Sequence, residues 1–136
     1  MYEHFEHTAD LGLRVRAPDA NALFAEAATA LFAAIVDGID TVRPDRAVEV
    51  HVEGAELDYL LFDWLRELLY RFDADHLVFS QFDVSVGDAG LAATAWGEPL
   101  DPARHVLSHE VKAITYHELR VEQEGSDWLA EVIVDI

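Results

Sequence analysis

Lys112 is the only lysine in this chain, and Tyr116 and His117 follow it within a few residues. The stretch from Glu110 to Glu122 reads as a strand whose alternation slips. Ile114 and Tyr116 share one face, then Leu119 and Val121 share one, so the count shifts near His117 and Glu118. Such a slip marks a bulge or a strand break, and bulges re-aim polar side chains at functional sites. Lys112, Tyr116 and His117 all lie beside it. The plain alternative is an amphipathic strand carrying a solvated lysine and histidine. The seven histidines offer a second chemistry. His4 with His7, or His105 with His109, have spacings that suit zinc and an activated water, the basis of a metal-dependent hydrolase. No His-Glu-x-x-His pattern accompanies them, and no third ligand stands out. Nucleophilic catalysis has little support. The chain has no cysteine, and Ser80, Ser85, Ser108 and Ser126 lie outside any Gly-x-Ser-x-Gly context. Gly87-Asp88-Ala89-Gly90 reads as a hairpin turn, not a phosphate loop.

The totals narrow the classes further. A chain of 136 residues suits one domain, and 51% hydrophobic content supplies a proper core. With no cysteine, a metal would be held only by His, Asp, Glu, backbone oxygens or the C-terminal carboxylate. The 27 acidic residues outnumber 9 basic ones, giving a formal net charge of −18. That field repels phosphate backbones, so direct, tight nucleic-acid binding is not expected. The acids are spread along the chain, which fits a protein kept soluble at high salt, where screening weakens self-repulsion. A halophilic source is the expectation. No apolar run approaches the roughly 20 residues of a membrane span. The first residues, Met1 to His7, lack the basic and apolar regions of a signal peptide, so a cytoplasmic location is expected.

These residues need elements to position them. Tyr2 to Glu6 reads as a short strand, His7 to Asp10 as a polar turn, and Leu11 to Arg16 as a strand with Leu11, Leu13 and Val15 inward. Asp19 can cap a helix from about Ala20 to Val36, with Gly38 placed as its C-cap glycine. Leu23, Phe24, Ala27, Ala28, Leu31, Phe32 and Ile35 follow helical spacing, and the alanines give a flat face for a sheet. After a loop from Ile39 to Asp45, Ala47 to Glu53 alternates as a strand. A second helix spans about Glu56 to Asp73. Tyr59, Phe62, Leu69 and Tyr70 widen its apolar stripe, so it is expected to be buried on more than one side. Leu77 to Val86 and Leu91 to Trp96 form a hairpin. Asp101-Pro102 suggests a short helical turn that would set His105 and His109 one turn apart. A strand from Lys112 and a last one from Trp128 to Ile136 close the chain, joined through Glu124-Gly125-Ser126-Asp127. The expectation is an α+β fold, with six to eight mostly antiparallel strands packed with two main helices. Strand order is not legible from this.

Five dispersed segments carry a family likeness. They are His7-Thr8-Ala9-Asp10-Leu11-Gly12, Leu23-Phe24-Ala25-Glu26-Ala27-Ala28, Asp63-Trp64-Leu65-Arg66-Glu67-Leu68-Leu69-Tyr70, the run from Glu110 to His117, and Val132-Ile133-Val134-Asp135-Ile136. In the same order they resemble motifs of the archease family, over essentially the whole chain. The resemblance implies a protein that is not itself an enzyme. It would activate an RtcB-type RNA ligase in tRNA splicing and RNA repair, promoting ligase guanylylation and multiple turnover. It also implies a divalent metal, calcium foremost with magnesium or manganese as alternatives, held by Asp10, Asp135 and Ile136. Lys112 is a further functional position, as a counter-charge between carboxylates or as a reach to a phosphate. His7, Tyr116 and His117 would support the site. A basic ligase surface would attract so acidic a partner. A chaperone-like binding module without specific chemistry is the competing non-enzyme reading.

Overall fold

A computed structural model of the protein describes residues 1–7 and 10–136, with His7 described in its backbone alone. Among the described residues, ten strands and two α-helices make an α+β arrangement. A five-stranded antiparallel sheet contains β1 (Tyr2–His7), β2 (Asp10–Ala17), β10 (Asp127–Asp135) and β8 (Ala113–Ile114) in that order, with β9 (Arg120–Glu124) also paired to β10. A three-stranded sheet places β6 (Gly90–Pro99) between β4 (Arg46–Glu53) and β5 (Leu77–Gly87). Two-residue strands β3 (Val36–Asp37) and β7 (Val106–Leu107) pair separately. Every pairing is antiparallel. The count exceeds the expected six to eight because β3 and β7, two residues each, leave no period in the sequence, and the strand expected from Lys112 is split into β8 and β9.

Helix α1 (Ala20–Ile35) lies against β1, β2 and β10 and also against β5. Contact with both sheets buries Leu23, Phe24, Ala27, Ala28, Ala30, Leu31 and Phe32, while Ala22, Glu26, Thr29 and Ala33 mark a half-buried stripe. Asp19 caps it, its carboxylate accepting from the Ala22 amide at 2.8 Å. The helix ends at Val36. Gly38, expected as its C-cap, instead takes a left-handed φ of 76° two residues on and opens a 3-10 turn, Ile39–Thr41. Helix α2 (Leu57–Asp75) is tied to α1 by the buried Trp64 indole, which donates to the Phe24 carbonyl at 3.0 Å. Its stripe is narrower than the sequence suggests. Phe62 and Leu69 are buried, but Tyr59 and Tyr70 face solvent.

The strand expected to run on from Lys112 is broken. β8 holds only Ala113 and Ile114, and a turn from Tyr116 to Leu119 precedes β9. The periodicity slip is therefore a break between two short strands that both pair with β10. Among the described residues, no helix is long and apolar enough to cross a membrane.

Candidate functional site

The inward set on β2 is Leu11, Leu13, Val15 and Ala17, so alternation puts Asp10, Gly12, Arg14 and Arg16 on the outer face. The register of β10 against β2 sets Asp135 directly opposite Asp10, Ile133 opposite Gly12 and Glu131 opposite Arg14. Residues directly opposite in an antiparallel pair have Cβ atoms about 5 Å apart on one face. Two carboxylates far apart in sequence thus stand side by side, both half-buried, with Ile136 next along the chain. The floor beside them is apolar. The Phe5 ring lies over Gly12, where a Cβ would come within 2.2 Å of it, and the Arg14 guanidinium sits 4.5 Å from the Phe5 ring centre.

Further along this face the charges are compensated. Glu131 accepts from Arg14 at 2.9 Å and from Arg120 at 2.8 Å. Burial pushes the Glu131 carboxyl up, but the two guanidiniums outweigh it and hold it below the usual range. Arg14 also donates to Glu3 at 3.2 Å.

The segment carrying Lys112 borders the carboxylate pair through its backbone. The Lys112 amide donates to the Asp135 carbonyl at 2.7 Å, and Ala113 stands opposite Asp135. Lys112 itself is exposed and lines a groove of about 530 Å³ with Phe72, Asp73, Leu107, His109 and Glu110. Thr115 anchors the next step, its amide and hydroxyl both donating to the Ile133 carbonyl. Tyr116 then lies on α2. It stacks on Phe62 with centroids 3.9 Å apart and planes 13° apart, and meets Tyr59 edge-on. Tyr116 therefore stands on the α2 side of this segment, and the His117 side chain is exposed. The Thr8–Ala9 part of the expected turn and the His7 side chain lie outside the described residues.

His105 and His109 do not form a zinc site, and the His4–His7 pair falls outside the described residues at the His7 side chain. His105 is buried with both ring nitrogens engaged: Nδ1 accepts from the Asp101 amide at 2.8 Å and Nε2 donates to Glu98 at 2.9 Å. No lone pair remains for a metal, and His109 is exposed with its amide bound to the Ala34 carbonyl. The turn at Asp101 does form, but it serves to bury His105. His4 donates from Nε2 to the Ala30 carbonyl at 3.0 Å, which ties β1 to α1. Among the described residues, no three His, Asp or Glu side chains gather as a metal centre.

Two groupings escape a reading by hydrophobic pattern. One is the cluster of buried Glu98 and His105 with half-buried Arg104. The other is the aromatic stack of Phe62, Tyr59 and Tyr116, whose members belong to distant segments.

Comparison with known proteins supplies the context. The archease protein family matches residues 2–136. The chain is 45% identical to the protein archease of Methanopyrus kandleri over 139 residues, covering 99% of each chain. It is 38% identical to that of Sulfurisphaera tokodaii, covering 99% of this chain and 98% of the other. Among solved structures, a protein of Methanobacterium thermoautotrophicum superposes with a TM-score of 0.88 at 33% identity, covering 99% and 98% of the two chains. An archease of Thermotoga maritima, a possible chaperone, shares the fold with a TM-score of 0.68 at 19% identity, covering 100% and 98%.

Proposed function

The chain belongs to the archease protein family, and from that premise we propose that it is an accessory protein that activates an RtcB-type RNA ligase in tRNA splicing and repair. It promotes guanylylation of the ligase and lets it turn over repeatedly, without catalysing a reaction of its own. The observation that carries this reading is the pairing of Asp10 with Asp135 across β2 and β10. Like charges directly opposite in a sheet are destabilising, so such a pair suits a cation. The donors are all oxygen, which favours calcium, then magnesium or manganese. Asp10, Asp135 and backbone oxygen of Ile136 would hold the ion, with water or partner groups completing its shell. Bound there, an ion would supply positive charge for anionic groups of a partner. The chain's own part is positioning: β10 fixes Asp135, the Lys112 amide holds the Asp135 carbonyl, and Lys112 offers an exposed cation in the groove's lining. The formal charge of −18 steers the protein to a basic partner and away from RNA.

The test is transfer of labelled GMP from GTP to the source organism's RtcB-type ligase. The protein accelerates it, and Asp10→Asn or Asp135→Asn reduces the acceleration by about tenfold or more while leaving the melting temperature near wild type. A chaperone-like module without a carboxylate site predicts undiminished acceleration in both variants.

The acidic surface supports a halophilic setting, and it sets a salt response. Raising salt from about 0.15 M to 1 M shortens the screening length from about 8 Å to 3 Å and relieves repulsion among exposed carboxylates. The melting temperature is expected to climb over that range. A flat or falling profile contradicts adaptation to high salt.

A further inference from the structure

Three of the large apolar side chains left in solvent are tyrosines on or against α2: Tyr59 and Tyr116, each 57% exposed, and Tyr70, 60% exposed. Tyr59 and Tyr116 wall a cleft of about 300 Å³ with Asp58 and Leu119. Its geometry is fixed from several sides. Phe62 backs the Tyr116 ring, Thr115 anchors the chain just before it, and the Leu119 amide closes the turn onto the Tyr116 carbonyl at 3.2 Å. Glu118, third in that turn, takes φ 54°, a left-handed conformation that costs a non-glycine residue about 1–2 kcal/mol. Strain of this kind collects where a side chain must be held in place. Asp58 is oriented as well, its Oδ1 accepting from the Val121 amide at 3.1 Å.

We propose that this cleft receives an arginine side chain from a basic protein surface. Aromatic faces carry negative potential that attracts cations, and the planar guanidinium both stacks on rings and forks onto a carboxylate. The chain already uses this chemistry nearby, where the Arg66 guanidinium lies 5.5 Å from the Phe62 ring centre. Charge selects the occupant. Asp58 lines the cleft, Glu56 and Glu118 adjoin its lining residues in sequence, and the whole molecule carries −18. A stacked nucleobase would bring its phosphate into that field. The proposal deepens the ligase reading by naming a surface for the partner, and it rests on that reading only for the partner's identity.

The probe is a blocked tripeptide with central arginine, compared with its lysine and citrulline counterparts at constant ionic strength. Tyrosine-ring resonances report binding. The arginine peptide should shift Tyr59 and Tyr116 along a saturating curve. The citrulline peptide should bind about tenfold more weakly, and Tyr59→Ser, a change at an exposed site, should remove the saturating shift without altering the melting temperature. Equal shifts with lysine and citrulline, no saturation, or a larger response to oligouridylate would each overturn the proposal. A ligase arm separates the two readings. If arginine binds here but the wild-type protein does not activate the ligase, the proposed function fails and the cleft stands. If the ligase is activated and Tyr59→Ser binds it as tightly as wild type, the cleft is not the docking surface and the function stands.

Discussion

Replacing Glu98 by alanine lowers the melting temperature by about 10 °C or more. Glu98 is 6% exposed and serves three elements at once. Its Oε1 takes the Arg104 guanidinium, and its Oε2 takes the Arg43 amide at 2.7 Å and His105 Nε2 at 2.9 Å. Alanine would orphan the His105 N–H, which is buried, and uncouple the loop before β4 from β6 and the Asp101 turn. Leaving a buried hydrogen-bond partner unsatisfied costs about 1–3 kcal/mol, and Glu98 serves three partners. For a chain of this length, each kcal/mol moves the midpoint by about 3–4 °C. Burial pushes the Glu98 carboxyl up, but Arg104, the Arg43 amide and His105 outweigh it and hold it at about 2, against an ordinary 4.5. A depressed carboxyl contributes stability above its unfolded pKa and loses it as pH falls toward the folded value. The Glu98 contribution is therefore complete above about pH 4.5 and disappears toward pH 2. Acid titration of stability should be shallower in Glu98→Gln across that window. Melting of Glu98→Ala within 2 °C of wild type would contradict this account, as would an acid limb unchanged in Glu98→Gln.

Gly97→Ala should cost about 3 kcal/mol or more, the next largest effect. A Cβ at Gly97 would stand 1.9 Å from the Val78 carbonyl oxygen and 2.8 Å from the Phe79 Cα. Both are backbone atoms of the neighbouring strand, so no rotamer change relieves the clash. Gly97 pairs with Phe79 just where the register of β5 against β6 shifts between Phe79 and Gln81. The close approach belongs to that bulge. Gly87→Ala, in the same hairpin, is the matched control, since its Cβ would meet nothing nearer than 3.8 Å. Denaturant midpoints of the two variants read the difference. Equal midpoints would mean the strands separate more easily than the packing implies.

Long amphipathic elements were legible because burial imposes a period on many residues. Leu11, Leu13 and Val15 announced β2, and the spacing from Leu23 to Ile35 announced α1. Both hairpins showed in their glycine turns, at Gly87 to Gly90 and at Gly125, which has φ 65°. The pair β3–β7 was not legible, since two residues carry no alternation, whereas β8 lies inside the strand read from Lys112 toward the last strand. Tyr59 and Tyr70 read as buried because helical spacing alone does not say which neighbour arrives, and here solvent does. Glu98 gave no sign of burial. Its partners Arg43, Arg104 and His105 converge only in the folded chain. The slip after Ile114 was visible, but its outcome as a break depended on β10 accepting two partners along its length. Of the site, the resemblance named Asp10 and Asp135, while the register of β2 with β10 made them neighbours. Lys112, read as a counter-charge, borders that pair through its amide and presents its side chain on the groove beside Asp73.

The measurement that tests the central claim most directly counts RNA ligations per molecule of the source organism's RtcB-type ligase, with GTP and divalent metal in excess at native salt. The account predicts about one ligation per ligase alone and many with the protein present. It predicts a return toward one with Asp10→Asn or Lys112→Ala, both folded by melting temperature. No stimulation by the wild-type protein would contradict the activator role, and full stimulation by Asp10→Asn would remove the carboxylate pair from it.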